Sequence, residues 1–108
     1  MGYRKGDILL INFPFTNLIN SKKRPVLLVK DENEFGDFVC FQITSKSKQT
    51  NVLEIDAKDL NGAELKLRSF VKCDKCFTLE SSMVDKKLSS VNQAFLLKLK
   101  ELFCGEVF

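Results

Sequence analysis

The chain has 108 residues, of which 44% are hydrophobic and 29% are charged, close to the usage of ordinary globular proteins and unlike that of disordered chains. Its formal net charge is +3, and it contains no histidine, which excludes Ser-His-Asp and Cys-His catalytic sites and histidine-containing metal sites. The length predicts one domain over residues 1–108. No apolar run reaches membrane-spanning length and the first residues show no signal-peptide pattern, so we expect a reduced, soluble, cytoplasmic protein.

Positive charge is concentrated in the first third of the chain. Residues 1–30 carry six basic side chains and one acidic side chain, whereas residues 31–67 carry four basic and eight acidic ones. A basic segment on a nearly neutral chain indicates one face that meets an anionic partner, with ordinary solvated surface charge as the alternative.

The first half of the chain reads as short strands separated by polar loops. Residues 7–13 form an apolar run that Pro14 ends, and residues 14–24 are polar and read as a long loop. Pro25 opens a second apolar run, since proline is tolerated at the first residue of a strand. Two more strands are predicted at residues 38–44 and 53–57.

In the second half of the chain, the spacing of apolar residues changes from strand-like to helical. After the turn signal Asn61-Gly62, residues 70–79 predict one long strand or two strands with a bend. Apolar residues at one helical face (Val91, Phe95, Leu99, Leu102) then predict a C-terminal helix that is capped by Ser90 and Gln93 and stopped by Gly105. The predicted class is mainly β, a small antiparallel barrel with one C-terminal helix.

Two loop–strand junctions carry candidate chemistry. Lys22, Lys23 and Arg24 end a loop directly before Pro25, so Arg24 is held where its planar guanidinium could bind a phosphate bidentately. Thr44 and Ser45 end a strand with two hydroxyls that could donate to phosphate oxygens. The alternatives are a solvated loop charge and common turn-forming residues.

The pair Cys73 and Cys76 has the spacing of metal ligands. A structural zinc site needs four ligands, and Cys40 and Cys104 would complete one only by coincidence of folding. A redox role needs a helix N-terminus in a βαβ context, which is absent from the pattern. We expect unlinked structural thiols.

Taken together, the motifs resemble the MazF/PemK/Kid toxins of bacterial toxin–antitoxin modules. Residues 6–14 (GDILLINFP) are similar to the family's opening strand, and residues 23–29 (KRPVLLV) to its second strand. Residues 43–45 (ITS), the turn at residues 61–63 (NGA) and the segments at residues 69–71 (SFV) and 77–79 (FTL) follow in the family's order. Gln42 and Lys75 depart from the family pattern, which commonly has proline and glutamine there, and residues 16–22 lack the glycine often seen in this loop.

The resemblance implies an SH3-like barrel, a homodimer, and metal-independent cleavage of single-stranded RNA by the neighbouring 2′-OH, with no cofactor. Arg24 matches the catalytic arginine of the family and Thr44 its catalytic threonine. Arg24 is expected to stabilise transition-state charge, with a further role in proton transfer left open. The residues expected to contact RNA are Asn20, Lys22, Lys23, Ser45 and Lys75.

The expected protein partner is an acidic, apolar antitoxin segment that competes with RNA. The alternative function is a non-catalytic barrel that poisons DNA gyrase by contact or only binds RNA or an antitoxin.

Overall fold

The computed structural model describes residues 2–13, 22–45, 52–65 and 68–102, and for Phe13, Lys22, Cys73, Asp74, Lys75 and Leu102 it describes the backbone only. These residues form an antiparallel sheet of six strands followed by one helix. The strands are β1 (Asp7–Phe13), β2 (Lys22–Leu28), β3 (Asp37–Thr44), β4 (Val52–Ile55), β5 (Ser69–Glu80) and β6 (Val84–Ser90), and the helix is α1 (Gln93–Leu102). No helix in the described ranges is long and apolar enough to cross a bilayer.

The strands are hydrogen-bonded in the order β4-β5-β3-β2-β1-β6. The prediction of a mainly antiparallel fold with a C-terminal helix is confirmed. Within the described residues, β4 and β6 form the two edges of the sheet and do not pair with each other, so the sheet is open where the sequence predicted a barrel. The segment that follows β4 approaches β6 through an isolated bridge between Leu60 and Val91 and through hydrogen bonds, among them one from Asn61 N–H to Ser90 O at 2.7 Å.

Helix α1 covers one face of the sheet. Strand residues that alternate toward this face, among them Ile8, Leu27 and Phe41, pack with Phe95 and Leu99 of the helix, which are 1% and 0% exposed. Burying each such side chain contributes roughly 1.5–3 kcal/mol, so the helix is held mainly by this contact. The predicted apolar helix face is confirmed for these two residues, whereas the side chain of Leu102 and all of Gly105 lie outside the description.

The opposite face, which we call the helix-free face, has a second apolar cluster. It contains Leu9, Ile11, Val26, Leu28, Phe38 and Cys40. The N-terminal segment packs against this cluster, with the Tyr3 ring in edge contact with Phe38 at 6.3 Å between centroids.

Gly6 and Asp7 connect the N-terminal segment to β2, to β6 and to Val91, which precedes the helix. Gly6 has a φ of 95°, its N–H donates to Leu28 O at 2.8 Å, and its carbonyl accepts from Val91 N–H at 2.8 Å. The carboxylate of Asp7 accepts from the Arg4 N–H at 3.0 Å and lies 3.2 Å from Lys87 Nζ. Gly6 and Asp7, which open the motif at residues 6–14, therefore have a structural role.

Three sequence expectations are corrected by the fold. Strand β2 begins at Lys22, so Pro25 lies inside the strand, where it pairs with Leu10. Strand β6 was not predicted, because it is an edge strand with three consecutive exposed residues, 85–87, and lacks an apolar alternation. The helix is capped by Asn92, whose Oδ1 accepts from Phe95 N–H at 2.9 Å, whereas Ser90 belongs to β6 and donates to Asn61 O at 3.0 Å.

Strand β5 is one strand with an irregularity, as predicted. In its pairing with β3, Phe41 faces Cys76 while the next residue, Gln42, faces Lys72. The three intervening residues, 73–75, are therefore extra on β5, which is the pattern of a β-bulge.

Candidate functional site

One end of the helix-free face is polar. Cross-strand partners project side chains to the same side of a sheet, and the strand register therefore shows which residues share this face. Val26 pairs with Gln42, and Gln42 pairs with Lys72. These pairs continue the apolar cluster into polar positions, since Val26 is buried while Gln42 and Lys72 are partly exposed.

Arg24 and Thr44 occupy the next row of the same face. The β2–β3 ladder pairs Leu28 with Cys40 and Val26 with Gln42, and its register continued by two residues places Arg24 opposite Thr44. Arg24 is exposed and Thr44 is partly exposed at the end of β3. Two residues predicted separately from the sequence thus lie on neighbouring strands and on one accessible face.

The row continues across β5 and β4. Thr44 pairs with Phe70, and Phe70 pairs with Glu54. The Arg68 guanidinium lies over the Phe70 ring, with Cζ 5.3 Å from the centroid. Arg68 Nε and Nη2 donate to the two oxygens of Glu54 at 2.9 and 3.1 Å.

This bidentate contact shifts both titrating groups. The hydrogen bond from Arg68 holds the pKa of the Glu54 carboxyl below its usual range, and the same bond raises the pKa of Arg68. Both groups therefore stay charged at neutral pH.

Seven neighbouring residues of the helix-free face form what we call the polar row cluster: Arg24, Gln42, Thr44, Lys72, Phe70, Glu54 and Arg68.

The remaining predicted RNA contacts lie around this cluster or beyond the described residues. Lys23 alternates to the other side of β2 from Arg24, and its Nζ is 3.4 Å from Asp85 Oδ2. Ser45 is exposed directly after Thr44. The backbone of Lys22 begins β2 and that of Lys75 lies in β5, whereas Asn20 lies outside the described residues.

The two cysteines whose side chains are described are both free thiols. Cys40 is fully buried on the helix-free face, and burial, with a smaller contribution from Cys76, raises its pKa to about 12. Cys76 is exposed, and partial burial raises its pKa above the usual value. The side chain of Cys73 and all of Cys104 lie outside the described residues, so the expectation that Cys73 and Cys76 are unlinked stays a prediction.

Metal ligation finds no support in the described part of the chain. No group of three or more Cys, Asp or Glu side chains is placed there to hold a metal ion. The polar row cluster instead combines three cationic side chains with one carboxylate, a composition suited to an anionic ligand such as a phosphodiester.

Sequence reasoning missed Arg68 and Lys72 as members of the cluster. The sequence does not show which strand Arg68 faces, and the β4–β5 register brings Glu54 beside it.

Comparison with solved structures shows the same fold in bacterial toxins. A mycobacterial endoribonuclease in complex with its cognate antitoxin is 17% identical, with 94% of this chain and 91% of that chain covered and a TM-score of 0.72. MazE–MazF from Deinococcus radiodurans is also 17% identical, with 95% and 92% covered and a TM-score of 0.72. The toxin MazF-mt6 from Mycobacterium tuberculosis is 18% identical, with 90% and 91% covered and a TM-score of 0.64.

No curated protein sequence matches the chain. A family model described as PemK-like, MazF-like toxin of type II toxin–antitoxin system matches residues 4–104. That match includes every strand, the helix and the whole polar row cluster. The chain belongs to the family of PemK-like, MazF-like toxins of type II toxin–antitoxin systems.

Proposed function

We propose that the protein is a metal-independent endoribonuclease toxin that cleaves single-stranded RNA and thereby inhibits translation and growth. The observation that carries the proposal is the β2–β3 register, which pairs Val26 with Gln42 and which, continued by two residues, would set Arg24 opposite Thr44 on one accessible sheet face. The family match over residues 4–104 and the endoribonuclease description of a structural neighbour support the same activity.

The proposed reaction is an internal transesterification. The 2′-oxygen of a ribose attacks the adjacent phosphorus, the bond from phosphorus to the 5′-oxygen of the next nucleotide breaks, and the products end in a 2′,3′-cyclic phosphate and a 5′-hydroxyl. The proton lost by the 2′-hydroxyl is balanced by the proton gained by the 5′-oxygen. Negative charge builds on the phosphorane oxygens between these events, and donors aimed at that charge lower the barrier.

Arg24 and Thr44 are the proposed catalytic residues. The guanidinium of Arg24 presents a planar set of donors, so its proposed role is to stabilise the phosphorane charge. The Thr44 hydroxyl would donate a second hydrogen bond to a phosphate oxygen. Because both positions lie at the accessible polar end of the face, outside the apolar clusters, their substitution is expected to leave the fold intact.

Asn20, Lys22, Lys23, Ser45 and Lys75 are proposed to contact the RNA on either side of the cleaved bond. Such contacts position the strand along the protein and are mainly electrostatic. Lys23 would exchange its exposed ion pair with Asp85 for a phosphate at little cost, since surface ion pairs contribute about 0–1 kcal/mol.

The proposed assembly is a cytoplasmic homodimer that also binds an antitoxin. A structural neighbour is in complex with its cognate antitoxin, which supports this partner. An acidic and apolar antitoxin segment would occupy the surface at Arg24 and Thr44 that is proposed to bind RNA, fold on binding and exclude RNA. Saturating antitoxin should therefore abolish cleavage, and its binding should weaken as salt is added.

The test is incubation of the purified protein with RNA of mixed sequence in the presence of EDTA. The wild type should cleave at defined short sequences, while Arg24→Ala and Thr44→Ala should each lose activity on the order of a hundredfold or more. Arg4→Ala, which removes an exposed arginine at the apolar end of the sheet, is the matched control and should cleave normally.

Two results would contradict the proposal. Cleavage that EDTA abolishes and Mg²⁺ or Mn²⁺ restores would show a metal-dependent mechanism. Binding of RNA, antitoxin or gyrase by a wild type that never cleaves RNA would show the non-catalytic alternative.

A further inference from the structure

Arg68 has an unusual environment for an exposed arginine. Its side chain is 71% exposed, yet the guanidinium is held on two sides, by the Phe70 ring beneath it and by the carboxylate of Glu54 at its edge. A long exposed side chain normally samples many rotamers, and the two contacts remove much of that freedom. The guanidinium is therefore preorganised with one flat surface toward solvent.

This group lies one strand away from the proposed catalytic pair. Phe70, which carries the guanidinium, pairs directly with Thr44 across the β3–β5 ladder. Neighbouring strands lie about 4.8 Å apart, so an RNA strand that places a phosphate at Thr44 brings an adjacent nucleotide to Arg68.

The contacts of Arg68 favour a base over a phosphate as its ligand. Arginine binds phosphate best through two parallel N–H groups, and one of the two edges that can do so, Nε–Nη2, is already occupied by Glu54. A hollow of about 240 Å³ beside Arg68 is also lined by Asp56 and Glu64, whose carboxylates repel phosphate. The flat surface of the guanidinium remains available, and RNA bases stack on guanidinium planes.

We propose that the Arg68 guanidinium is a stacking platform for an unpaired base of the RNA, next to the cleaved bond. Phe70 supports the platform from below and Glu54 is a positioning residue that fixes its plane. The inference rests on the proposed function in that it takes single-stranded RNA as the ligand, but it concerns binding and does not require cleavage.

The test measures binding of a mixed-sequence RNA probe with 2′-O-methyl groups, which cannot be cleaved by the proposed reaction. Fluorescence anisotropy gives Kd for the wild type, Arg68→Gln, Arg68→Lys and the control Arg4→Gln. Loss of one stacked base should raise Kd on the order of tenfold for both Arg68 variants, because lysine keeps the charge but lacks the plane. Arg4→Gln, which removes an exposed arginine remote from the cluster, should bind like the wild type.

The salt dependence of Kd separates stacking from a phosphate contact. Arg68→Gln should leave the slope of log Kd against log salt unchanged, whereas loss of a phosphate contact lowers the slope by about one. Glu54→Ala should also raise Kd, because the guanidinium loses its fixed plane. Circular dichroism melting of each variant checks that the fold is retained.

Each outcome decides the inference separately from the proposed function. Wild-type affinity in Arg68→Gln or Arg68→Lys, a reduced salt slope, or no binding by the wild type would overturn the stacking platform. Arg68-dependent binding by a protein that fails to cleave ordinary RNA would leave the platform intact and overturn the proposed nuclease. Cleavage by the wild type together with normal binding by Arg68→Gln would support the proposed nuclease and overturn the stacking platform.

Discussion

The buried thiol of Cys40 makes a sharp prediction about stability at alkaline pH. Cys40 is 0% exposed in the apolar cluster of the helix-free face, and burial raises its pKa from the ordinary 9.0 to about 12. Between these two values the unfolded chain loses the thiol proton while the folded protein keeps it. Ionisation thus favours the unfolded state, and the stability contributed by Cys40 is complete below pH 9 and falls as the pH rises toward 12.

The size of the effect follows from the two pKa values. At pH 10 the ionised fraction of the unfolded thiol lowers the free energy of unfolding by about 1.4 kcal/mol, and the full difference above pH 12 is about 4 kcal/mol. The value at pH 10 depends little on the folded pKa as long as this exceeds about 11. It is therefore the better quantity to measure.

The assay is urea unfolding of the wild type and Cys40→Ala under a reducing agent, at about pH 8 and about pH 10. The substitution removes one buried sulfur, so Cys40→Ala should be less stable by about 1 kcal/mol at the lower pH. At the higher pH the stability of Cys40→Ala relative to the wild type should rise by about 1.4 kcal/mol, which removes or slightly reverses that deficit, because the alanine variant has no thiol to ionise. All lysines and the other cysteines are common to both chains and cancel in the comparison.

Cys76→Ala is the matched control. Its thiol is exposed, whereas that of Cys40 is fully buried, so the stability of Cys76→Ala relative to the wild type should change less with pH. Equal losses of stability in the wild type and Cys40→Ala between the two pH values would refute the reasoning.

Three further predictions concern the backbone, the helix cap and assembly. Gly6→Ala forces an L side chain into a φ of 95° with its Cβ 3.2 Å from Val91 O, so urea unfolding should show a free energy of unfolding lower by about 1–2 kcal/mol. The control Gly2→Ala, whose Cβ would meet nothing nearer than 4.0 Å, should match the wild type. Asn92→Ala removes the cap acceptor of Phe95 N–H and should cost about 1 kcal/mol in the same assay, while Asn92→Asp keeps an acceptor oxygen and should cost less; equal losses would contradict the capping role. Sedimentation equilibrium at micromolar concentration should give about twice the chain mass of 12.3 kDa, and a monomer would contradict the proposed dimer.

Much of the fold was predictable because burial leaves a regular pattern in the sequence. Strand β1 is a continuous apolar run because both of its faces are buried, and the apolar face of α1 repeats with the helical period of 3.6 residues. Strand β6 is an edge strand in which Lys86 and Lys87 are exposed, so no such pattern exists. Its pairing with β1 depends on the rest of the sheet.

The candidate site was predictable in its residues but not in its geometry. Arg24 and Thr44 were identified from local junction chemistry and family resemblance, and the β2–β3 register then places them opposite each other. A register depends on which strands pair, and a single sequence does not encode that pairing locally. For the same reason the sequence does not show that Glu54 lies beside Arg68, because this contact depends on the β4–β5 ladder.

The most direct test of the central claim is a double-mutant cycle on RNA cleavage with Arg24→Gln and Thr44→Val. If the two side chains act on one phosphate across the β2–β3 ladder, each single variant should lower kcat/KM on the order of 10²–10³-fold. The double variant should then be little slower than the slower single variant, because groups that act as a unit are strongly non-additive. Losses that multiply in the double variant, or near-normal cleavage by Arg24→Gln, would contradict the account.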